Sequence, residues 1–239
     1  TKMQQDAAAA AQEVVAAAQR LASDPSDHVR ASLASSVNEL APVLGQEDTV
    51  QQLLPMLLQL LRDESSDVRL NVISTLGTIN DVIGVELLSQ SLLPAIVDLA
   101  EDGQWRVRLA IIEHVPMLAA QLGVNFFNER LNNLCMTWLG DDVFSIRVAA
   151  ATNLRQLSEH FGEEWAKAHV LGRVDRMHTH ANYLQRMTSL YAMQALVKCL
   201  SAETVKSSLL PMALEMTRDS VPNVRFTVAK TLGALMEKL

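Results

Sequence analysis

Apolar residues recur at intervals of three and four along most of the chain, the spacing that places them on one face of an α-helix. A leucine-rich segment spans residues 53–61, and a second apolar segment follows at residues 68–83. The polar residues Asp63–Asp67 separate the two segments and offer side-chain oxygens that can cap a helix start. The pattern therefore predicts two helices joined by a short turn. The Val and Ile runs are short and lie in helical phase, so no strand is predicted.

This helix pair repeats every 39 residues. An arginine marks each repeat, at Arg30, Arg69, Arg108, Arg147, Arg186 and Arg225. An acidic residue precedes the arginine by six positions in all repeats but the fifth, where His180 stands instead. Self-similarity at such a spacing predicts a stack of equivalent helical units. We therefore predict an all-α solenoid, a single domain over 1–239, with six repeats at about 1–45, 46–84, 85–123, 124–162, 163–201 and 202–239.

A proline column and a glycine column indicate where the helices of each repeat begin and end. Proline recurs at Pro55, Pro94 and Pro211, and glycine at Gly45, Gly84, Gly123 and Gly162. Because proline has no backbone N–H, we expect it in the first turn of the first helix or at a local kink. Glycine suits the C-terminal end of the second helix.

The acidic and arginine columns predict an ionic ladder. An aspartate in each turn and an arginine one helical turn later can form charge-assisted hydrogen bonds within a repeat and between neighbouring repeats. Such bonds would fix the stacking register. We assign this structural role to Asp24, Arg30, Asp63, Arg69, Asp102, Arg108, Asp141, Arg147, Asp219 and Arg225.

The composition agrees with stacked helices and excludes several classes of protein. Hydrophobic residues make up 49% of the chain and aromatic residues 4%, so the interior must consist of Leu, Val, Ile, Ala and Met. The formal net charge of −7 disfavours a nucleic-acid partner. Without an apolar run of about 18 residues, no membrane span is expected. Cys135 and Cys199 lie in different repeats, so we expect no disulfide framework and a reducing location, in the cytoplasm and nucleus.

The sequence lacks the motifs that carry catalysis or metal binding. It has no Gly-x-Ser-x-Gly elbow, no phosphate-binding glycine loop and no His-Glu-x-x-His helix. We therefore predict a protein that is not an enzyme and has no cofactor. His169, His178 and His180 have no Cys or acidic companion at metal-binding spacing, and we interpret 177–180 as a surface turn without a metal.

Aromatic residues occupy turn positions where polar residues are expected. Three positions before the column arginine, successive repeats carry Trp105, Phe144 and Tyr183. Aromatic and arginine side chains dominate protein-binding hot spots, and equivalent turns line up along a solenoid. We therefore predict a protein-contact stripe that comprises these three residues and Arg106. The alternative is that the rings fold back over neighbouring helix ends and cap the core.

The period, the long helix pairs and the Asp/Val-Arg turns resemble HEAT repeats rather than the shorter tetratricopeptide or ankyrin units. Several stretches are similar to the scaffolding A subunits of protein phosphatase 2A, namely SQSLLPAIV at 89–97, AEDGQWRVRLAIIE at 100–113, QLGVNFF at 121–127, NYLQRMT at 182–188 and PNVRF at 222–226. The resemblance implies a non-enzymatic scaffold, monomeric alone, that presents the catalytic subunit of a serine/threonine phosphatase to regulatory B-type subunits. The chain resembles the later repeats of that family, and the apolar face of both end repeats also predicts a fragment of a longer array.

The resemblance further assigns contact residues, because the turns of the family's last repeats hold the catalytic subunit. It implies this role for Trp105, Arg106, Phe144, Arg186, Val221 and Asn223, and Tyr183 joins them from the aromatic stripe. Gln104 replaces a common lysine, and residues 178–181 replace a Ser-Gly-Asp-Pro turn, so the fifth turn departs most. One alternative is an importin-like or other cargo-binding adaptor that uses its concave face. Another is a HEAT-like DNA glycosylase, which the acidic balance disfavours.

Overall fold

The computed structural model describes the backbone of residues 2–239 and the side chains of residues 10, 12–84, 86, 87 and 89–239. All regular structure in this part of the chain is helical, which confirms the predicted all-α class. The chain forms two compact units, one ending at Ile111 and the other beginning at Ile112.

In chain order, the α-helices up to residue 122 are α1 (Lys2–Leu21), α2 (Asp27–Ser36), α3 (Ala41–Asp48), α4 (Leu54–Leu60), α5 (Ser66–Ile83), α6 (Val85–Leu87), α7 (Leu93–Leu99) and α8 (Trp105–Leu122). The later helices are α9 (Val124–Arg130), α10 (Asn132–Trp138), α11 (Phe144–Phe161), α12 (Glu163–Ala166), α13 (Gly172–His178), α14 (Tyr183–Leu196), α15 (Ala202–Thr204), α16 (Leu210–Glu215) and α17 (Pro222–Met236). Short 3-10 turns lie at Val37–Leu40 and Met216–Arg218, and π turns at Thr49–Leu53, Leu88–Leu92, Lys167–Leu171 and Val205–Leu209.

The prolines lie at the start of a short α-helix that directly follows a π turn. The π turn Thr49–Leu53 leads directly into α4, and Pro55 is the second residue of α4. Because Pro55 has no N–H and its ring crowds the preceding turn, regular α-helical bonding cannot continue through it, and the wider turn relieves the conflict. Pro94 and Pro211 follow π turns in the same way. Pro55, Pro94 and Pro211 therefore lie in the first turn of α4, α7 and α16.

The glycines separate the second helix of one repeat from the first helix of the next. Gly84 and Gly162 have φ angles of +79° and +92°, in a region where a side chain would be strained. In the fifth repeat Ser201 takes the glycine position with an extended backbone. Its Oγ accepts a hydrogen bond from the Thr204 N–H at 3.2 Å and caps the following helix instead.

The core of each unit is a layer of aliphatic side chains shared by neighbouring repeats. In the first unit α2 packs against α5, and Leu57 and Leu76 are fully buried. In the second unit α14 packs against both α11 and α17, and Leu154 and Leu190 are fully buried. Each such leucine contributes about 1.5–3 kcal/mol by leaving water. Because a helix pair buries its apolar face only against adjacent pairs, the core extends from repeat to repeat.

Other features of the described residues bear on the classes of function. None of the helices described is both long enough and apolar enough to traverse a lipid bilayer. Cys135 and Cys199 are free thiols, and burial raises the pKa of Cys135 above its ordinary range. Among the side chains that the structure describes, no group of three His, Cys, Asp or Glu residues is arranged to hold a metal ion.

Candidate protein-binding site

An aspartate and an arginine organise the turn between the two helices of a repeat. The aspartate carboxylate accepts the backbone N–H two residues later, at 2.9 Å for Asp63–Ser65 and 2.8 Å for Asp102–Gln104, Asp141–Val143 and Asp219–Val221. The arginine Nη1 donates to the carbonyl oxygen of the same aspartate, at 2.6 Å for Arg69–Asp63, Arg108–Asp102 and Arg225–Asp219 and 2.8 Å for Arg147–Asp141. These two bonds fix the turn and direct the chain into the second helix.

The same arginines also bridge neighbouring repeats. The Nε and Nη2 groups form a fork with the carboxylate of the next repeat, with N–O distances of 2.6 and 2.9 Å for Arg30–Asp63, 2.9 and 3.1 Å for Arg69–Asp102, and 2.5 and 2.9 Å for Arg186–Asp219. Hydrogen bonds from the guanidinium hold the pKa of Asp63 and Asp219 below the ordinary value. Planar forks of this kind are both strong and directional, so they fix the stacking of the repeats that they join.

The ladder is interrupted between the fourth and fifth repeats. His180 replaces the aspartate, and its Nδ1 accepts the Asn182 N–H at 3.0 Å, so the turn keeps its shape. Imidazole cannot offer a carboxylate to Arg147, which is only 6% exposed. Arg147 donates from Nη1 to the carbonyls of Asp141 and Asp142, but its buried Nε has no hydrogen-bond partner among the described residues. Arg147 is therefore a buried cation without the fork to a carboxylate that Arg30, Arg69 and Arg186 have.

The three turn aromatics differ in exposure. Phe144 and Tyr183 are the first residues of α11 and α14, and they are 55% and 41% exposed. Phe144 packs by its edge on Tyr191, with ring centroids 5.9 Å apart. Trp105 begins α8 and is half-buried, with the Arg106 guanidinium 4.8 Å from its ring centroid. The Trp105 indole is therefore less accessible than the rings of Phe144 and Tyr183.

The other predicted contact residues fall into two groups. Asn223 is exposed and Val221 half-buried, and both lie at the start of α17. Arg186 is committed to the protein itself: its Nε and Nη2 bind Asp219, and its Nη1 donates to the carbonyls of His180 and Ala181 at 2.8 and 2.9 Å. In this structure Arg186 is a member of the ladder, and four of its five N–H donors are committed within the protein.

His178 is not part of an exposed turn, as the sequence had suggested for 177–180. It ends α13 and is 8% exposed. Its Nδ1 contacts the carbonyl of Asp175, and its Nε2 lies 3.2 Å from Glu215 Oε2. His180 is exposed, so the two histidines do not form one cluster.

One exposed phenylalanine was not predicted from the sequence. Phe226 is 65% exposed on α17, and Lys230 Nζ lies 4.6 Å from its ring centroid. It follows the column arginine directly, and the equivalent residue of the fourth repeat, Val148, is 37% exposed. The 39-residue alignment could have found this column, because it is apolar in every repeat: Ala31, Leu70, Leu109, Val148, Met187 and Phe226.

Comparison with known families identifies the type of helical repeat. Residues 54–155 match the model described as HEAT repeats, and residues 209–239 match the model of the HEAT repeat. The chain is a HEAT-repeat protein. Residues 1–96 also match the model described as PIK3R4-like, middle domain.

Two curated relatives refine the comparison for this HEAT-repeat chain. It is 52% identical over 59 residues to the regulatory A subunit of protein phosphatase PP2A from Schizosaccharomyces pombe, a stretch that covers 25% of this chain and 10% of that protein. It is 43% identical over 87 residues to the protein of the same name from Saccharomyces cerevisiae, covering 36% and 14%. The matched stretches are therefore a small part of both relatives.

Solved structures support the solenoid fold. An importin beta crystal structure superposes with a TM-score of 0.73 at 13% identity, covering 95% of this HEAT-repeat chain and 31% of importin beta. Kap95p gives a TM-score of 0.75 at 15% identity, with coverages of 95% and 31%. Cex1p gives 0.70 at 15% identity, with coverages of 95% and 43%. At these identities the likeness establishes the fold alone.

Proposed function

We propose that this chain is a non-enzymatic scaffold of a serine/threonine protein phosphatase 2A complex. In this proposal the turns between paired helices bind the phosphatase catalytic subunit, which the array presents to regulatory B-type subunits in the cytoplasm and nucleus. The similarity to the regulatory A subunits of two phosphatases, at 52% and 43% identity, is the observation that carries the proposal.

The geometry of the second unit supports binding through the turns. Phe144 and Tyr183 present large rings to solvent from the first position of α11 and α14. The turn beneath Phe144 is held by the Asp141–Val143 and Arg147–Asp141 hydrogen bonds, so the ring is presented by a rigid support. Rigid, exposed aromatic side chains are the residues that most often anchor a protein interface. In this interpretation the ladder builds the turns and the variable aromatic residues contact the partner.

The proposal is tested by size-exclusion chromatography of the chain mixed with purified phosphatase 2A catalytic subunit. We expect a new peak that contains both proteins and elutes ahead of either one. An importin beta fragment of equal repeat number is the matched control, since it shares the fold and should not change the elution volume of the catalytic subunit. Separate elution of the two proteins across a micromolar concentration series would overturn the proposal.

A further inference from the structure

A polar groove of about 480 Å³ lies between the first helices of the fourth and fifth repeats, in the second unit. One wall is α10, which contributes Asn132 and Asn133. The other wall is the first helix of the fifth repeat, which contributes His169, Arg173 and Arg176. The groove is thus formed by helix faces and not by the turn residues assigned to the catalytic subunit.

The basic wall of the groove consists of residues from one helix and from the π turn before it. Arg173 and Arg176 are three positions apart in α13, which puts them on one helix face. His169 lies in the π turn that precedes α13, and its ring stacks on Trp165 with centroids 5.6 Å apart. From His169 to Arg176 the wall extends over about 10 Å, at about 1.5 Å of helix rise per residue.

The charges of the groove are unbalanced. Neither arginine forms an ion pair or a hydrogen bond with any described residue, and the Arg173 Nε is buried without an acceptor. Asn132 Oδ1 is likewise buried without a donor. No acidic residue lines the groove, although the chain carries a net charge of −7. The groove between the fifth and sixth repeats has the opposite character, since Asp175 and Glu215 line it.

The repeat pattern shows that Arg173 is a local addition. Arg173 stands in a column whose other members are apolar, namely Ala17, Met56, Ala95, Leu134 and Met212, and all of these except Ala17 are buried. Arg176 stands in a column that also holds Arg20, beside the neutral or acidic residues Gln59, Asp98, Thr137 and Glu215. A solenoid does not need a cation at the Arg173 position for its stacking. Departures from a local rule without structural compensation point to function.

We propose that this groove binds an acidic peptide segment of a partner protein. Guanidinium groups pair with carboxylates through two parallel hydrogen bonds, and two of them one helical turn apart suit successive acidic side chains. A wall of about 10 Å accommodates about three residues of extended chain. The Arg176 guanidinium is exposed and has no ion pair among the described residues, so it is available to an acidic side chain of the peptide. The site goes beyond the scaffold role, because it lies on faces that the turns leave open.

The test is a fluorescence anisotropy titration with a labelled peptide of sequence Gly-Glu-Glu-Asp-Glu-Gly, against the same peptide with Gln and Asn in place of the acids. We expect saturable binding of the acidic peptide that weakens with added salt, and no saturation with the neutral one. Arg176→Gln should weaken binding by about tenfold or more, as loss of an anchoring arginine does. Arg218→Gln removes the same charge from an exposed site of the same unit and should change affinity by less than about twofold.

Arg176 is exposed, so its variant should keep the wild-type circular dichroism and melting temperature, and Arg173→Gln provides a second reading of the same site. Unchanged affinity of Arg176→Gln in a folded protein would overturn the proposal. Equal binding of the neutral peptide would do the same. Displacement of the peptide by an equimolar amount of inorganic phosphate would also contradict it, because the site would then select a small anion and not a peptide.

Discussion

Arg147 shows at the scale of one residue what the ladder contributes. At Arg30, Arg69 and Arg186, a carboxylate from the next repeat meets the guanidinium fork. Arg147 is 6% exposed and has therefore lost most of its hydration, but the residue at the aspartate position of the next repeat is His180, which has no carboxylate. A buried charge that has no opposite charge beside it is costly, and the two backbone carbonyls that Arg147 contacts offset this cost only in part. The fourth and fifth repeats are therefore joined less tightly than a complete ladder would allow.

Replacement of His180 by Asp should restore this step. Asp219 shows that one aspartate can accept the N–H two residues later and also receive an arginine fork, so the turn tolerates the change. We expect His180→Asp to raise the free energy of unfolding by about 1–3 kcal/mol, the usual value of hydrogen bonds to a charged group. Urea denaturation followed by circular dichroism measures it. His160→Asp, at an exposed histidine of α11, should give no gain, and an unchanged stability of His180→Asp would mean that Arg147 is satisfied in another way.

At the scale of the helix pair, boundaries depend on backbone conformation as much as on apolar spacing. Gly162 ends α11 with φ at +92°, and the space around its α-carbon is open. Gly233 lies within α17 in a helical conformation, also with open space around it. Replacement of glycine by alanine should therefore have opposite effects at these two sites, because Gly162 has a positive φ angle and Gly233 has a helical backbone.

Gly162→Ala should destabilise the protein by about 1–2 kcal/mol, because an L side chain at positive φ meets its own backbone. Gly233→Ala should stabilise it by up to about 1 kcal/mol, since alanine is the better helix former and nothing obstructs its methyl group. Thermal melts of the two variants beside wild type compare them directly. A melting temperature for Gly162→Ala equal to or above that of Gly233→Ala would show that the chain does not require glycine at this boundary.

For the whole array, the periodic spacing of residues was enough to predict most of the fold. The 39-residue step predicted the helix pairs, the turn positions and the fold class, because every repeat has to bury its apolar face against its neighbours in the same way. What the columns could not predict depends on contacts between particular side chains. Trp105 is half-buried, with Arg106 against its ring. The groove at Arg173 could not be predicted from the columns, because the burial of the equivalent residues in other repeats is a property of the folded chain.

The central claim is that exposed turn aromatics bind a phosphatase catalytic subunit, and Phe144 tests it most directly. Phe144 is 55% exposed, whereas Trp105 is half-buried and its removal would also disturb folding. Leu214→Ala is the matched control, since Leu214 is 51% exposed on the first helix of its repeat and is not one of the predicted contact residues.

The decisive measurement is a calorimetric titration of purified phosphatase 2A catalytic subunit into wild type, Phe144→Ala and Leu214→Ala, with melting temperatures recorded for each. We predict that Phe144→Ala weakens binding by about 2 kcal/mol, roughly thirtyfold, with little change in melting temperature. Leu214→Ala should bind as wild type does. Equal affinity of Phe144→Ala and wild type would contradict the account and leave the ring as a cap on Tyr191.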